Sequence, residues 1–140
     1  MSPPGSDPLA GVVRELFADL RHAGERPDPH EAAAGCARAR LLQGEAGRRQ
    51  RGTQVRFVLR LVGDTLTQVR YCAYGCPHTL ATCEWLARQL ENRPLGEPIG
   101  TPADWAQRLQ IPAVKLGRLL VVEDALRAAL AGADVSVTKS

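Results

Sequence analysis

The sequence predicts an α+β fold. Two segments of alternating apolar and polar residues, Gln54–Val62 and Thr65–Ala73, meet at Gly63-Asp64 and read as a hairpin. From Pro77 to about Leu130 the apolar residues recur at helical spacing instead. A small sheet followed by a run of helices is the α+β pattern, and 140 residues is the size of one domain.

Residues 1–7 are rich in Pro, Gly and Ser and are expected to be disordered. Asp7 suits a helix cap and Pro8 a first helical position, after which Leu9, Val12, Val13, Leu16, Phe17 and Leu20 mark a helix ending near Gly24. "ERPDPHE" reads as a linker, Gly35–Leu42 fits an edge strand or a short helix, and Gly44–Gly52 reads as a polar loop. Val55, Phe57, Leu59 and Leu61 give the first hairpin strand one buried face. Glycine first in Gly63-Asp64 favours a type II′ turn. Arg56, Arg60 and Arg70 then share the outer face, which becomes basic.

A helix is expected from Pro77 to about Asn92, with Cys76 at its cap and proline in the favoured first position. Arg93–Gly100 is a turn-rich connection, and Thr101 caps a short helix over Pro102–Gln110. A last helix from about Pro112 to Leu130 carries Leu119, Val122, Leu126, Ala129 and Leu130 on one side, and the tail 132–140 is expected to be flexible. The domain is thus placed at residues 8–131.

Composition narrows the function. The chain is 44% hydrophobic and 24% charged, with no apolar run long enough to span a membrane. "MSPPGSDPLAG" lacks a secretory pattern, so the expected compartment is the cytoplasm, where cysteines stay reduced and serve metals or catalysis more often than disulfides. The formal charge is +3, and every basic residue except Lys115 and Lys139 is arginine. Aromatics are 4% and no recognition motif appears, which argues against nucleic acid. Arg48-Arg49-Gln50-Arg51 reads as a solvated loop or as a basic docking patch for an acidic partner. Neither a Gly-rich phosphate loop nor a nucleophile–base motif is present.

The chemistry concentrates in "YCAYGCPHTLATC", residues 71–83, which holds three of the four cysteines and a histidine. Cys76 and Cys83 lie on one helix face about 10 Å apart, too far for a disulfide. Cys83, among leucines, reads as a small buried hydrophobe. Cys76 differs, because it stands in a Gly-Cys-Pro turn where a strand feeds a helix. Unsatisfied amides and the helix dipole favour a thiolate there, so Cys76 is a candidate nucleophile or metal ligand. Gly75 permits a sharp bend and close approach by another molecule. Cys72, Cys76 and His78 together offer three ligands of zinc or iron type, with Cys36 as a fourth. The spacing is not the paired Cys-x-x-Cys of structural zinc, and His78 reads first as an exposed helix residue and only then as a ligand.

"VRYCAYGCPHTLATCEWLARQLENRPL" and "PADWAQRLQIPAVKLGRLLVVEDALRAAL" resemble the NifU/IscU-type iron–sulfur cluster assembly scaffolds. In that family a strand ends in a Tyr/Phe-Gly-Cys turn opening a helix, here Tyr74-Gly75-Cys76. A Pro-x-Val-Lys segment follows later, here Pro112-Ala113-Val114-Lys115, then a helix beginning near Glu123-Asp124-Ala125. The resemblance covers roughly residues 8–131 and is most specific from Gln54 onward. It implies a SufE/NifU-like sandwich, with a three-stranded antiparallel sheet and helices packed on one side. It also implies iron or an iron–sulfur cluster as transient cargo, a cysteine desulfurase as partner, and a scaffold or sulfur acceptor rather than a catalyst.

Of the family's ligands only the turn cysteine is present, as Cys76. The Cys-Gly-Asp motif falls on Arg51-Gly52-Thr53, and the last cysteine falls on Gly117-Arg118. A cluster of this kind is held by four ligands, typically thiolates. Cys72, His78 and Cys36 would have to substitute, or two subunits would share a cluster, or none is built. Arg118 cannot ligate a metal, but it would sit near the Cys76 thiolate and lower its pKa. The SufE-type persulfide carriers share this fold with one reactive cysteine in a Gly-Cys turn. A carrier without a cluster, and an interaction module that keeps only the fold, are the alternatives.

Overall fold

Four strands form one antiparallel sheet in the order β1-β2-β3-β4, with β1 at Ala39–Arg48, β2 at Thr53–Val62, β3 at Thr65–Tyr74 and β4 at Arg93–Pro94. The structure is a computed structural model and describes residues 11–24, 39–96 and 98–139. Cys36, the Asp7–Pro8 cap, the linker and residues 1–7 lie outside the described residues. The α+β class and the hairpin are as the sequence predicts, but the sheet has four strands where three were expected. The added one is the two-residue β4, which pairs with Thr65 and Leu66. Gly63 has φ +61° while Asp64 is not in the left-handed region, as a type II′ turn requires.

β1 corrects the largest misreading. Gly44–Arg48, expected as loop, continues the strand and pairs with Thr53–Phe57, and a single 3₁₀ turn at Arg49–Arg51 links β1 to β2. Edge position explains this: Gln43 and Glu45 face solvent, so the strand carries little of the apolar alternation that marks a central one.

Val55, Phe57, Leu59 and Leu61 of β2 and Val69 and Tyr71 of β3 point to one face and are buried. The register shift at Arg60/Leu61 leaves Thr67 as a bulge, so that Leu66 also turns inward. The other face is not the open basic surface expected of it. Val58 and Arg60 are buried there, and Arg70 is paired with Glu91 at 3.0 Å, so only part of this arginine set meets solvent.

The core face is covered by α2 (Pro77–Leu90) and α4 (Leu116–Lys139), with α3 (Pro102–Leu109) beside them. Ala81, Cys83, Leu86 and Ala87 of α2 meet Leu119, Val122, Ala125 and Leu126 of α4 in one cluster over the sheet. Thr101 caps α3 through a reciprocal capping box with Asp104. α4 begins after a 3₁₀ turn at Ala113–Lys115 and runs past Gly132 to Lys139. One glycine does not end a helix, since each residue added still gains a backbone hydrogen bond.

α1 (Gly11–Ala18) ends well before Gly24. Beyond it the chain turns extended against the edge of β3, where Gly24 N–H donates to the Tyr71 carbonyl at 2.8 Å and Tyr71 N–H donates to the His22 carbonyl at 3.2 Å. The edge of β3 offers unpaired backbone groups, and bonding them outweighs a further helical turn.

Candidate functional site

β3 delivers the chain to the sheet's end at Tyr74, Gly75 bends it, and Cys76 takes the extended cap position of α2 at φ −79° and ψ 168°. Pro77 follows at the first helical position, where its missing donor costs nothing. Gly75 is needed for more than the bend. A Cβ there would stand 3.1 to 3.3 Å from the Thr79 side chain, the group that packs against the thiol.

Cys76 is half-buried. Burial alone would push its thiol up, but the Thr79 amide and hydroxyl, the His78 amide and the Arg118 guanidinium together bring it below the ordinary value. The Thr79 hydroxyl lies 3.7 Å from the sulfur and His78 Nδ1 lies 4.0 Å from it. The Thr79 amide also donates to the Cys76 carbonyl at 2.9 Å, so its help to the sulfur comes largely from its dipole at the helix end. Thr79→Val, nearly isosteric, should therefore move the pH midpoint of Cys76 alkylation upward. It should also slow iodoacetamide at neutral pH by about twofold to fivefold, the worth of one hydrogen bond to the thiolate. An unmoved midpoint would show that the hydroxyl does not help hold the anion.

Arg118, at the start of α4, is one of the groups that lower the Cys76 thiol. It lines a cavity of about 480 Å³ together with Arg48, Arg51, Thr53, Gly47, Gly117 and Val121. Arg51, Thr53, Gly117 and Arg118 are the positions matched above to the missing family ligands. The β1–β2 turn and the start of α4 thus bring all of them to one cavity, and Arg118 connects it to the turn cysteine. None carries a thiolate, imidazole or carboxylate, so these positions do not fit a cluster.

Of the remaining candidates only His78 comes near Cys76. Cys72 lies on the opposite face of the sheet, paired in register with Arg56, and its thiol donates to the Gly24 carbonyl at 3.2 Å. His78 is buried, not the exposed helix residue that was one reading of it. Cys83 is fully buried, and its thiol is pushed far up by desolvation and by Glu84. Among the described residues no three His, Cys, Asp or Glu side chains come together to hold a metal ion, and no helix is long and apolar enough to cross a membrane. Thr79 was missed in the sequence, because a lone hydroxyl three residues past a cysteine cap is not a capping-box pattern. A larger hollow of about 540 Å³ is lined by Trp85, Arg93, Asp104 and Arg108, and no cysteine lines it.

The family model described as the NifU-like N-terminal domain matches residues 10–135. The chain belongs to that family. Two curated relatives of this NifU-like domain match parts of it. The bifunctional protein NifU/MnmA of Rubrobacter xylanophilus is 49% identical over 82 residues, which is 58% of this chain and 14% of that protein. The iron–sulfur cluster assembly protein IscU of Plasmodium falciparum is 25% identical over 85 residues, 60% of this chain and 52% of that protein. The matched stretches thus span about half of one relative and a small part of the other. A crystal structure described as an iron–sulfur cluster assembly scaffold for the SUF system, from Fervidobacterium islandicum, superposes with a TM-score of 0.61. At 12% identity, with 88% of this chain and 96% of that one covered, it shows that the NifU-like domain has the scaffold fold.

Proposed function

We propose that this NifU-like domain serves iron–sulfur cluster assembly as a sulfur acceptor, with Cys76 as the accepting atom and a cysteine desulfurase in the cytoplasm as the donor. One observation carries the reading: the positions matched to the family's other ligands line one cavity as Arg51, Thr53, Gly117 and Arg118, none of them a thiol, and Arg118 among them helps lower the Cys76 thiol. In the transfer, the Cys76 thiolate attacks the outer sulfur of the donor's persulfide. The new S–S bond forms as the old one breaks, the donor leaves as a thiolate, and no oxidant is consumed. Arg118 and the first turn of α2 favour the anionic form of the attacking group, and half-burial leaves one side of the sulfur open. Iron or a cluster, as cargo, would need further ligands from Cys36, a second copy or another assembly protein.

The test is incubation of the full chain with a desulfurase and cysteine, anaerobically, with and without iron. The expected product is a +32 Da adduct on Cys76, lost in Cys76→Ser, without visible colour from one chain alone. A cluster chromophore that Cys76→Ser abolishes would replace the acceptor reading by a scaffold one. Neither adduct nor colour on a folded chain would leave only an interaction module.

A further inference from the structure

We propose that the cavity lined by Arg48, Arg51 and Arg118 is an anion subsite, which seats the carboxylate of a small persulfide so that a low-molecular-weight donor, besides the desulfurase, can pass its sulfur to Cys76. The persulfide half rests on Cys76 accepting sulfur; the anion half does not.

The cavity is lined by Arg48, Arg51 and Arg118, and no acidic residue lines it. Elsewhere arginines meet carboxylates: Arg70 with Glu91 at 3.0 Å, Arg88 with Glu84 at 2.7 Å, Arg127 with Glu123 at 3.0 Å. Among the described residues neither Arg48 nor Arg51 has such a partner, and Arg118 Nε is buried without a hydrogen-bond partner. An anion seated among these guanidinium groups would meet cations that no carboxylate among the described residues neutralises.

The wall is built for openness. Gly47 has φ +85°, and a Cβ there would run into the Thr53 carbonyl oxygen and approach Val121 Cγ1 to 2.8 Å. Gly117 faces open space. About 480 Å³ suits a small molecule, not a folded surface. Arg118 belongs to both halves, since it lines the cavity and is one of the charges that lower the Cys76 thiol. A thiolate attacking a persulfide brings two anions together, and cations at that point lower the repulsion. The bond made is Cys76 S–S, the bond broken is the carrier's own S–S, and the carrier departs as a thiolate.

The closing experiment compares iodoacetate with iodoacetamide on the full chain at low salt, reading Cys76 by fragment mass. Acidification of the thiol affects both reagents, so their rate ratio isolates attraction of the carboxylate. The ratio should exceed that of free glutathione by about tenfold, as expected of a one-sign cleft. It should fall at least threefold in Arg51→Gln or on adding potassium phosphate. A ratio like that of glutathione, or one indifferent to Arg51→Gln and phosphate, overturns the subsite. In a second arm, glutathione persulfide should sulfurate Cys76 faster than cysteamine persulfide, and phosphate should remove the difference. Equal rates overturn the assignment to a carboxylate-bearing carrier. An iodoacetate preference with no labelling by either persulfide overturns sulfur acceptance and leaves an anion site of another use.

Discussion

Gly44→Val should lose more than about 3 kcal/mol of stability, enough to unfold much of a domain whose whole margin is about 5–15 kcal/mol. Gly44 lies in β1 directly under α4. A Cβ at this position would collide with the Ala129 amide nitrogen and stand 2.6 Å from the Ala128 carbonyl carbon. Those atoms are helix backbone, so no rotamer change relieves the clash and the helix must lift off the sheet. Lifting it opens the contacts that Ala125, Leu126 and Ala129 make in the core. The measurement is urea unfolding followed by circular dichroism. With m near 1–3 kcal/mol per molar, the midpoint should fall by at least about one molar or the cooperative transition should vanish. Gly96→Val, where a Cβ meets nothing within 4 Å, is the control. Equal midpoints for the two variants would refute the account of Gly44.

Gly44 also shows why part of this fold was legible in the sequence and part was not. The hairpin and α2 carry their pattern locally: four alternating apolar residues in β2, a Gly63-Asp64 turn, and Cys76-Pro77 at a helix start each determine their own conformation. β1 does not. Its inward positions include Gly44, chosen for the closeness of a helix some eighty residues later, and its outward ones include Gln43 and Glu45, so locally its second half looks like loop. The site divides in the same way. A cap cysteine can be read from Gly-Cys-Pro, and Arg118 was placed beside it only because the family resemblance aligned distant segments. The cationic cavity needed Arg51 and Arg118, 67 positions apart in the chain, to arrive at one place, which no local pattern encodes. The burial of His78 and Arg60 likewise depends on what packs over them, since nothing in their own spacing marks an inward position.

Glu84 makes the same point from inside the core, and its loss should be the most costly single change among the polar residues. It lies in α2 with no exposed surface, and its carboxylate gathers four donors from three parts of the chain. His22 Nδ1 lies 2.6 Å away and the His22 amide donates at 3.0 Å, tying the segment after α1 to the helix. Tyr71 O–H donates at 3.1 Å from β3, and Arg88 Nε at 2.7 Å from the next helical turn. His22 Nε2 reaches on to Glu91 at 2.9 Å, which also accepts from the Val69 amide and from Arg70. Glu84→Ala leaves these donors facing an empty site, and removing one partner of a buried ionic set costs about 3–5 kcal/mol. Burial alone would raise the Glu84 carboxyl, but Arg88 and His22 hold it below the ordinary carboxylate value, and Glu91 is lowered in the same way by the Val69 amide and His22. A carboxylate lowered in the folded state contributes stability that is present above the ordinary value near 4.5 and lost as pH falls through the folded one. Stability of the unmodified chain should therefore fall between about pH 5 and pH 3 more steeply than that of Glu84→Gln, which has no charge to lose at that position. Parallel pH profiles for the two, measured by urea midpoint, would mean that Glu84 acts by shape and hydrogen bonding alone, and the buried network would not hold α1 and its connection to β3 by charge.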